Sequence, residues 1–186
     1  MSLRFVATEL PGVVLVEPAV HRDARGFFLE CYHAAKYAEG GIDAHFVQDN
    51  HSASCRNTLR GLHGQSPHAQ GKLVRVLAGE IFDVVVDARR GSPAYGRFFA
   101  ATLSSQNFLQ IYVPPGLVHG FVVTSETAEV EYKTTDFYHP ESEFSVAWND
   151  PALAIPWPVA QPILSEKDAK AMPLAALQDR LIDYAP

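Results

Sequence analysis

A histidine and an arginine stand in the most polar part of the chain, which runs from residue 48 to residue 65. Its two segments read QDNHS at 48–52 and LRGLHGQ at 59–65. A neutral imidazole is suited to take up a proton near pH 7, and a guanidinium binds phosphate oxygens in a bidentate manner. This pattern favours His63 as a base beside Arg60. A histidine in a β-protein is more often a hydrogen-bonded structural residue, so spacing alone leaves both interpretations open.

The spacing of the histidines argues against a metal centre, although barrels often hold a metal through three histidines and a glutamate. No His-x-His pair places two ligands on one strand face, and His63 and His68, five residues apart, fall on opposite faces of a regular strand. Cys31 and Cys55 form no CxxC or Cys/His pattern. We therefore predict neither a metal nor a cofactor. The eight histidines are at positions 21, 33, 45, 51, 63, 68, 119 and 139.

Short strands must position these side chains, because β-branched and aromatic segments alternate with turn residues through the middle of the chain. Residues Leu73–Leu77 and Ile81–Asp87, joined at Ala78-Gly79, predict a hairpin. This spacing favours an antiparallel sandwich or barrel, and a barrel of this size encloses a cavity for one small ligand. The other predicted strands are Phe98–Leu103, Gln110–Val113, His119–Thr124 and Glu129–Thr134.

Helix signals are confined to the flanks of this all-β region. One short helix is predicted around Glu30–Ala38, before Gly40-Gly41. A second is predicted after Ser165, which stands at capping-box spacing, and Pro173 interrupts it. The 186 residues, 47% of them hydrophobic and 19% charged, suit one domain spanning 1–186 with its own core.

The charge and hydropathy of the sequence argue against two kinds of partner, nucleic acid and membrane. A net charge of −6 without a Lys/Arg run argues against nucleic-acid binding, and the Arg89-Arg90 pair has the setting of a solvated turn. No apolar run approaches the ~20 residues that cross a bilayer, and the amino terminus has no apolar signal region. We therefore expect a cytoplasmic protein with reduced thiols.

Nine motifs occur in order along the chain and carry a resemblance. Together they closely resemble the dTDP-4-dehydrorhamnose 3,5-epimerase family over nearly the whole chain, and nine motifs in register are far more specific than any one of them. The motifs are DARGFFLE (23–30), VQDNHS (47–52), LRGLH (59–63), AQGKLV (69–74), FDVVVD (82–87), PPGLVHGF (114–121), EYKTTDFY (131–138), WNDPA (148–152) and LSEKD (164–168).

The resemblance implies a cupin-type jelly-roll barrel with short flanking helices, a homodimer, and epimerisation at C3 and C5 of dTDP-4-dehydro-6-deoxy-D-glucose on the way to dTDP-L-rhamnose. Carried over by motif, His63 is the general base and Asp168 is its partner. Tyr132 is the general acid, and Lys72 lies beside the C4 ketone. Protons on C3 and C5 are acidic only because that ketone accepts negative charge, so a nearby cation stabilises the enolate.

For the nucleotide, the resemblance assigns Arg25 and Arg60 to the diphosphate. In this family the amino-terminal segment crosses to the partner subunit, so Arg25 is expected to serve the neighbouring pocket. The side chains assigned near the thymidine or in the pocket lining are Phe27, Glu30, Gln48, Asn50, His119 and Tyr138.

Each of these residues also has a structural interpretation. From its spacing Asp168 caps a helix, Tyr132 and Tyr138 are core aromatics, and Lys72 is a surface lysine. Arg25 precedes Gly26 in a turn and pairs with Asp23. His119 is either structural or part of the pocket lining.

Two departures from the family pattern bear on substrate detail. The family commonly has an aromatic after the histidine of LRGLH, where this chain has Gly64, so the pocket is expected to widen or the strand to loosen. His21 stands where some members carry an aromatic. Three alternatives stay open: an epimerase acting at C3 or C5 only, a non-catalytic sugar-nucleotide-binding barrel, and a metal-dependent cupin.

Overall fold

Two antiparallel sheets dominate the computed structural model, which describes residues 2–185. The sheets comprise six and five strands, and a separate hairpin lies near the amino terminus. The predicted all-β architecture is confirmed. The strands are β1 Arg4–Ala7, β2 Val14–Glu17, β3 Val20–Asp23, β4 Gly26–Leu29, β5 Gln48–Cys55, β6 Leu59–Gln65, β7 Lys72–Ala78, β8 Glu80–Val86, β9 Phe98–Ser104, β10 Gln110–Val113, β11 Val118–Val123, β12 Thr127–Thr134 and β13 Glu143–Ser145.

The strand order is β1-β2-β10-β7-β12-β5 in the larger sheet and β13-β6-β11-β8-β9 in the smaller one. Among residues 2–185, strands β3 and β4 pair only with each other. Sequence neighbours therefore often lie in different sheets. Strand β5 belongs to the larger sheet and β6 to the smaller one, so the two polar segments of the sequence approach the interior from opposite walls.

The alternation of side chains along each strand builds the core between the sheets. On β8, Ile81 and Val85 are buried in the core between the sheets, whereas Val84 and Val86 face a second cluster under the carboxyl-terminal segment. On β7, Val74 and Val76 face inward. Successive side chains of a strand point to opposite faces, so a strand buried on both faces reads as a continuous apolar run.

The hairpin predicted from residues 73–87 is wrong, because its two strands do not pair with each other. Strand β7 pairs with β10 and β12, whereas β8 pairs with β9 and β11, so the chain crosses between the sheets at Gly79. Gly79 has φ +77°, and a Cβ there would lie 2.0 Å from the carbonyl oxygen of Thr127. The turn therefore packs against the backbone of β12, and only a glycine fits this corner.

The two flanking helices are shorter than predicted. Helix α1 spans Ala34–Glu39 and begins after His33, not at Glu30. Helix α2 spans Glu166–Ala169, and Ser165 caps it by accepting a hydrogen bond from the Asp168 backbone at 3.1 Å. Beyond α2, 3₁₀ turns form at Leu174–Arg180, and a further one precedes β13 at Pro140–Ser142.

Arg89 corrects the expectation of a solvated Arg89-Arg90 turn. Its guanidinium lies 2.7 Å from the fully buried Asp87 carboxylate and also donates to the backbone of Pro11. A buried carboxylate needs such a partner, so Arg89 is structural. Arg90 is exposed and pairs with Asp183. Within residues 2–185, no helix has the length and apolar character needed to cross a membrane.

Candidate active site

The candidate site lies at one end of the barrel, where inward-facing positions change from apolar to polar. Along β12, Val130 faces the core and Tyr132 follows on the same face. Along β7, Val74 and Val76 face the core, and Lys72 precedes them on that face. The alternation that builds the core thus brings the side chains of the candidate site to its open end.

A cavity of about 600 Å³ opens at this end. This volume falls in the range of small-molecule sites. Seven of the residues proposed from the sequence line it, from both sheets, from α2 and from the segment after β12. They are Arg60, His63, Lys72, His119, Tyr132, Tyr138 and Asp168; the other lining residues are Ser52, Thr58, Leu59, Phe121, Glu143, Ile163, Leu164, Ser165 and Lys167.

His63 and Asp168 form a hydrogen-bonded pair in the cavity wall. The Nε2 atom of His63 lies 2.6 Å from Oδ1 of Asp168, whose side chain is 3% exposed. Burial lowers the pKa of His63 below its ordinary value, and the carboxylate opposes this shift. Burial raises the pKa of Asp168, but the hydrogen bonds from His63 and Ser165 outweigh it and leave the pKa lowered. The pair is therefore a neutral imidazole beside an ionised carboxylate near pH 7.

The cap of helix α2 fixes this carboxylate. Ser165 accepts the backbone N–H of Asp168 at 3.1 Å, so the aspartate side chain is free to reach His63. The capping role and the histidine-partner role of Asp168 are therefore compatible: its backbone serves the cap and its side chain serves the imidazole.

Tyr132 and Lys72 lie on the opposite sheet from His63. Burial raises the pKa of the Tyr132 phenol, which keeps it protonated, and Arg60 acts in the opposite direction. Burial lowers the pKa of Lys72 to about 8, and the carboxylates of Glu143 and Asp83 limit the fall. Lys72 is thus a cation below pH 8 inside the cavity, not a surface lysine.

A second histidine–carboxylate pair adjoins the first. His119 on β11 is the register partner of His63 on β6, and its Nε2 lies 2.8 Å from Oδ2 of Asp83. Asp83 is completely buried, and its Oδ1 has no hydrogen-bond partner among the described residues. A buried carboxylate of this kind is costly unless paired, so His119 has both a lining and a structural role.

The sequence reasoning missed Asp83, Glu143 and Lys167. Glu143 accepts from Lys167 Nζ at 2.6 Å and from the Tyr138 hydroxyl at 3.0 Å. Burial raises the pKa of Glu143, but the Lys167 ammonium outweighs this and leaves it lowered. A detectable signal existed only for Asp83, because a charged residue inside the apolar run IFDVVV must be buried with a partner.

Two residues expected at the nucleotide do not line the cavity but lie on β5, the strand of the lining residue Ser52. Gln48 and Asn50 are on the same face of β5 as the lining residue Ser52, and Gln48 donates to Asn50 at 2.9 Å. Gln48 also accepts the backbone N–H of Tyr138 at 3.1 Å. This contact ties the strand to the segment that carries a tyrosine over the cavity.

Three other expected binding residues lie outside this cavity. Arg25 pairs with Asp23 at 2.6 Å, and its side chain is 90% exposed. Phe27 on β4 packs on Phe108, and Glu30 pairs with Lys36. Within a single chain, these residues therefore do not join the His63 site.

Comparisons with known proteins agree with this geometry. A family model described as dTDP-4-dehydrorhamnose 3,5-epimerase matches residues 7–176. This chain belongs to that family. The enzyme of the same name from Pseudomonas aeruginosa is 53% identical over 168 residues, which cover 89% of this chain and 93% of the relative. The Neisseria gonorrhoeae relative is 51% identical over 164 residues; they cover 88% of this chain and 50% of the relative, so the match spans half its length.

A solved structure extends the likeness to the fold. The crystal structure of dTDP-6-deoxy-D-glucose-3,5-epimerase from Legionella pneumophila, in complex with dTDP-4-keto-L-rhamnose, matches with a TM-score of 0.97 and 47% identity. The match covers 100% of both chains. The predicted family, its carbohydrate-epimerase class and the cupin-type jelly roll are confirmed.

The family departure at Gly64 does not widen the cavity. A Cβ at Gly64 would lie 2.5 Å from Cζ of Phe144, its register partner on β13, and 3.0 Å from Val118. These neighbours belong to the cluster under the carboxyl-terminal segment, and Gly64 does not line the cavity. The Phe144 ring therefore occupies the space beside Gly64, and the strand stays packed.

Proposed function

We propose that this chain epimerises dTDP-4-dehydro-6-deoxy-D-glucose at C3 and C5, giving dTDP-4-dehydro-L-rhamnose. The observation that carries the proposal is the 2.6 Å contact between His63 and Asp168 in a cavity that also holds Tyr132 and Lys72. The reaction class follows from the family, and the roles of individual residues rest on this arrangement.

The first step is removal of the proton beside the ketone. His63, with a lowered pKa, is neutral near pH 7 and accepts that proton. Asp168 holds the ring orientation and stabilises the imidazolium that forms. The electron pair moves to the C4 oxygen, where the Lys72 ammonium stabilises the enolate.

Inversion requires a proton to return from the opposite face of the sugar. His63 lies on β6 of the smaller sheet and Tyr132 on β12 of the larger one, so the two side chains approach the cavity from facing walls. A protonated phenol supplies that proton to the carbon and becomes a phenolate. The imidazolium then releases its proton to solvent and the phenolate takes one up from solvent, so both groups are restored before the next carbon reacts. The same pair serves C3 and C5 in turn as the sugar presents each position.

The nucleotide is assigned to the rim of the cavity. Arg60 lines the cavity and is exposed, which suits contact with a diphosphate. Tyr138 is 51% exposed above it. His119, Gln48 and Asn50 remain predicted substrate contacts.

A homodimer completes this proposal. Within residues 2–185 the β3–β4 hairpin pairs with no other strand, and Phe27 and Phe28 on β4 are 55% and 71% exposed. Exposed aromatics on one projecting element are typical of a surface that another chain covers. We propose that Arg25, Phe27 and Glu30 serve a partner's pocket, and a cytoplasmic location stays a prediction.

Proton NMR in D₂O tests the reaction directly. Purified protein is mixed with dTDP-4-dehydro-6-deoxy-D-glucose without added metal, beside His63→Ala and, as a matched control, His45→Ala at an exposed histidine outside the cavity. We expect deuterium at both C3 and C5 with the unmodified protein and with His45→Ala. We expect no deuterium with His63→Ala.

Other outcomes select the alternatives. Deuterium at one carbon only identifies an epimerase acting at a single position. Binding of the nucleotide sugar without exchange at either carbon refutes the catalytic proposal and leaves a sugar-nucleotide-binding barrel. Exchange that disappears after EDTA treatment and returns with a divalent cation supports a metal-dependent cupin.

A further inference from the structure

Two imidazoles and a carboxylate converge outside the catalytic cavity. His68 follows β6, Asp136 follows β12, and His139 precedes β13, and one ligand atom from each lies within 4.8 Å of the others. Nδ1 of His68 is 3.4 Å from Oδ2 of Asp136. The two imidazole rings stack at 4.0 Å with an interplanar angle of 15°. Three segments that are distant in sequence therefore bring nitrogen and oxygen donors to one point.

We propose that His68, Asp136 and His139 form a site for a divalent transition-metal ion such as Zn²⁺. Imidazole suits zinc, nickel and copper, whereas magnesium prefers oxygen donors with near-ideal octahedral geometry. Donor atoms bound to zinc lie about 2.0–2.2 Å from it, so binding requires the two stacked rings to turn until one nitrogen of each points at the ion. The site lies outside the catalytic cavity, and the proton transfers at His63 do not use it.

The buried side chain of Gln65 organises the backbone around these donors. Its Nε2 donates to the carbonyl oxygen of His68 and, at 3.0 Å, to that of Phe137. Its Oε1 accepts the backbone N–H of His139 at 2.9 Å. Gln65 is 7% exposed, so one internal amide fixes the backbones that carry both histidines. A preorganised donor set loses less conformational entropy when a cation binds.

Neighbouring contacts connect the donor set to the cavity rim. Nδ1 of His139 lies 3.2 Å from Oε1 of Glu141, which is not among the three converging donors. Between Asp136 and His139 stands Tyr138, whose hydroxyl reaches Glu143 in the cavity. A bound cation would therefore clamp the 136–139 segment to the loop at His68 and hold the tyrosine at the cavity rim.

Calorimetric titration of EDTA-stripped, dialysed protein with Zn²⁺ at pH 7.5 tests the site. We expect one Zn²⁺ per chain. We expect affinity to fall on the order of tenfold or more in His68→Asn and in His139→Ala. Asparagine is chosen at position 68 because the residue has φ +64°, which asparagine tolerates. His45→Ala, at an exposed histidine outside the cluster, should bind as the unmodified protein does.

Two further measurements make the result decisive. Mg²⁺ in place of Zn²⁺ should give no saturable heat. Hydrogen exchange of the amides in residues 136–139 should slow with Zn²⁺ in the unmodified protein but not in His68→Asn. The proposal would be refuted if both histidine variants bound Zn²⁺ as tightly as the unmodified protein does. It would also be refuted if Zn²⁺ bound without slowing the exchange of these amides.

Discussion

Replacing Lys72 with methionine should make the protein more stable and less active. Burial lowers the pKa of Lys72 from 10.5 to about 8. That difference corresponds to about 3 kcal/mol of folding free energy spent on keeping the ammonium charged at pH 7. Methionine has similar length and no charge. The lowered pKa already includes the attraction of Glu143 and Asp83, so we expect a net gain of up to about 3 kcal/mol.

The lowered pKa of Lys72 determines how the stability advantage of Lys72→Met depends on pH. Below pH 8 both the folded and the unfolded protein hold the lysine proton, so the full cost is present. Between pH 8 and 10.5 the folded protein has released that proton while the unfolded chain retains it, so the unmodified protein gains stability as pH rises. The advantage of Lys72→Met should therefore be largest below pH 8 and vanish near 10.5.

Urea unfolding at pH 7, 8, 9 and 10, at one fixed protein concentration, measures this advantage. Lys167→Met is the matched control, because Lys167 is half-exposed and already paired with Glu143. Epimerase turnover of Lys72→Met should fall on the order of 10²–10³-fold through loss of enolate stabilisation. A Lys72→Met protein that is less stable at pH 7, or whose advantage does not change with pH, would refute the account of the buried ammonium.

Three further predictions concern turnover. Asp168→Asn should lower kcat on the order of 10²–10⁴-fold with little change in KM, because His63 loses its orienting carboxylate; steady-state kinetics with unchanged kcat would contradict this role. Tyr132→Phe should retain deuterium uptake beside the ketone but lose net inversion, and NMR showing normal inversion would exclude Tyr132 as the acid. On the acid side, kcat/KM should decrease below the ordinary histidine pKa of 6.5, as His63 takes up a proton. On the alkaline side, kcat/KM should decrease near pH 8, as Lys72 loses a proton. In Lys72→Arg the alkaline limb should disappear, because arginine stays charged.

The strands could be predicted from the sequence because their signal is local. The predicted segment Gln110–Val113 coincides with β10, and Phe98–Leu103 differs from β9 by one residue. Their pairing is not local. A glycine turn between two apolar segments is compatible both with a hairpin and with a crossing between sheets, and the packing of Gly79 on β12 decides between them.

Sequence motifs predicted residues of the candidate site. They did not predict which charged side chains leave the surface on folding. Neither alternation nor spacing indicates that Lys72 lies in a cavity, since its polarity alone suggests the surface. Arg89 was misplaced for the same reason, because its partner Asp87 becomes visible only in the folded chain. The helix around Glu30 begins later than predicted because Glu30 pairs with Lys36 and the Cys31 carbonyl accepts the Tyr37 hydroxyl at 2.8 Å.

The fold explains how a charged side chain such as that of Lys72 can lie at the open end of the barrel. Two strands that reach the cavity are held in the core by apolar residues on the same face as the lining side chain, as Val130 does for Tyr132 and Val74 for Lys72. The stability cost of a buried ammonium is therefore offset by the core beneath it. The same ammonium, near Asp83 and Glu143 but with a lowered pKa, is charged at pH 7 and only weakly hydrated. A cation in that state stabilises a developing enolate more than one in water does, so the cost to stability and the gain in catalysis have one physical origin.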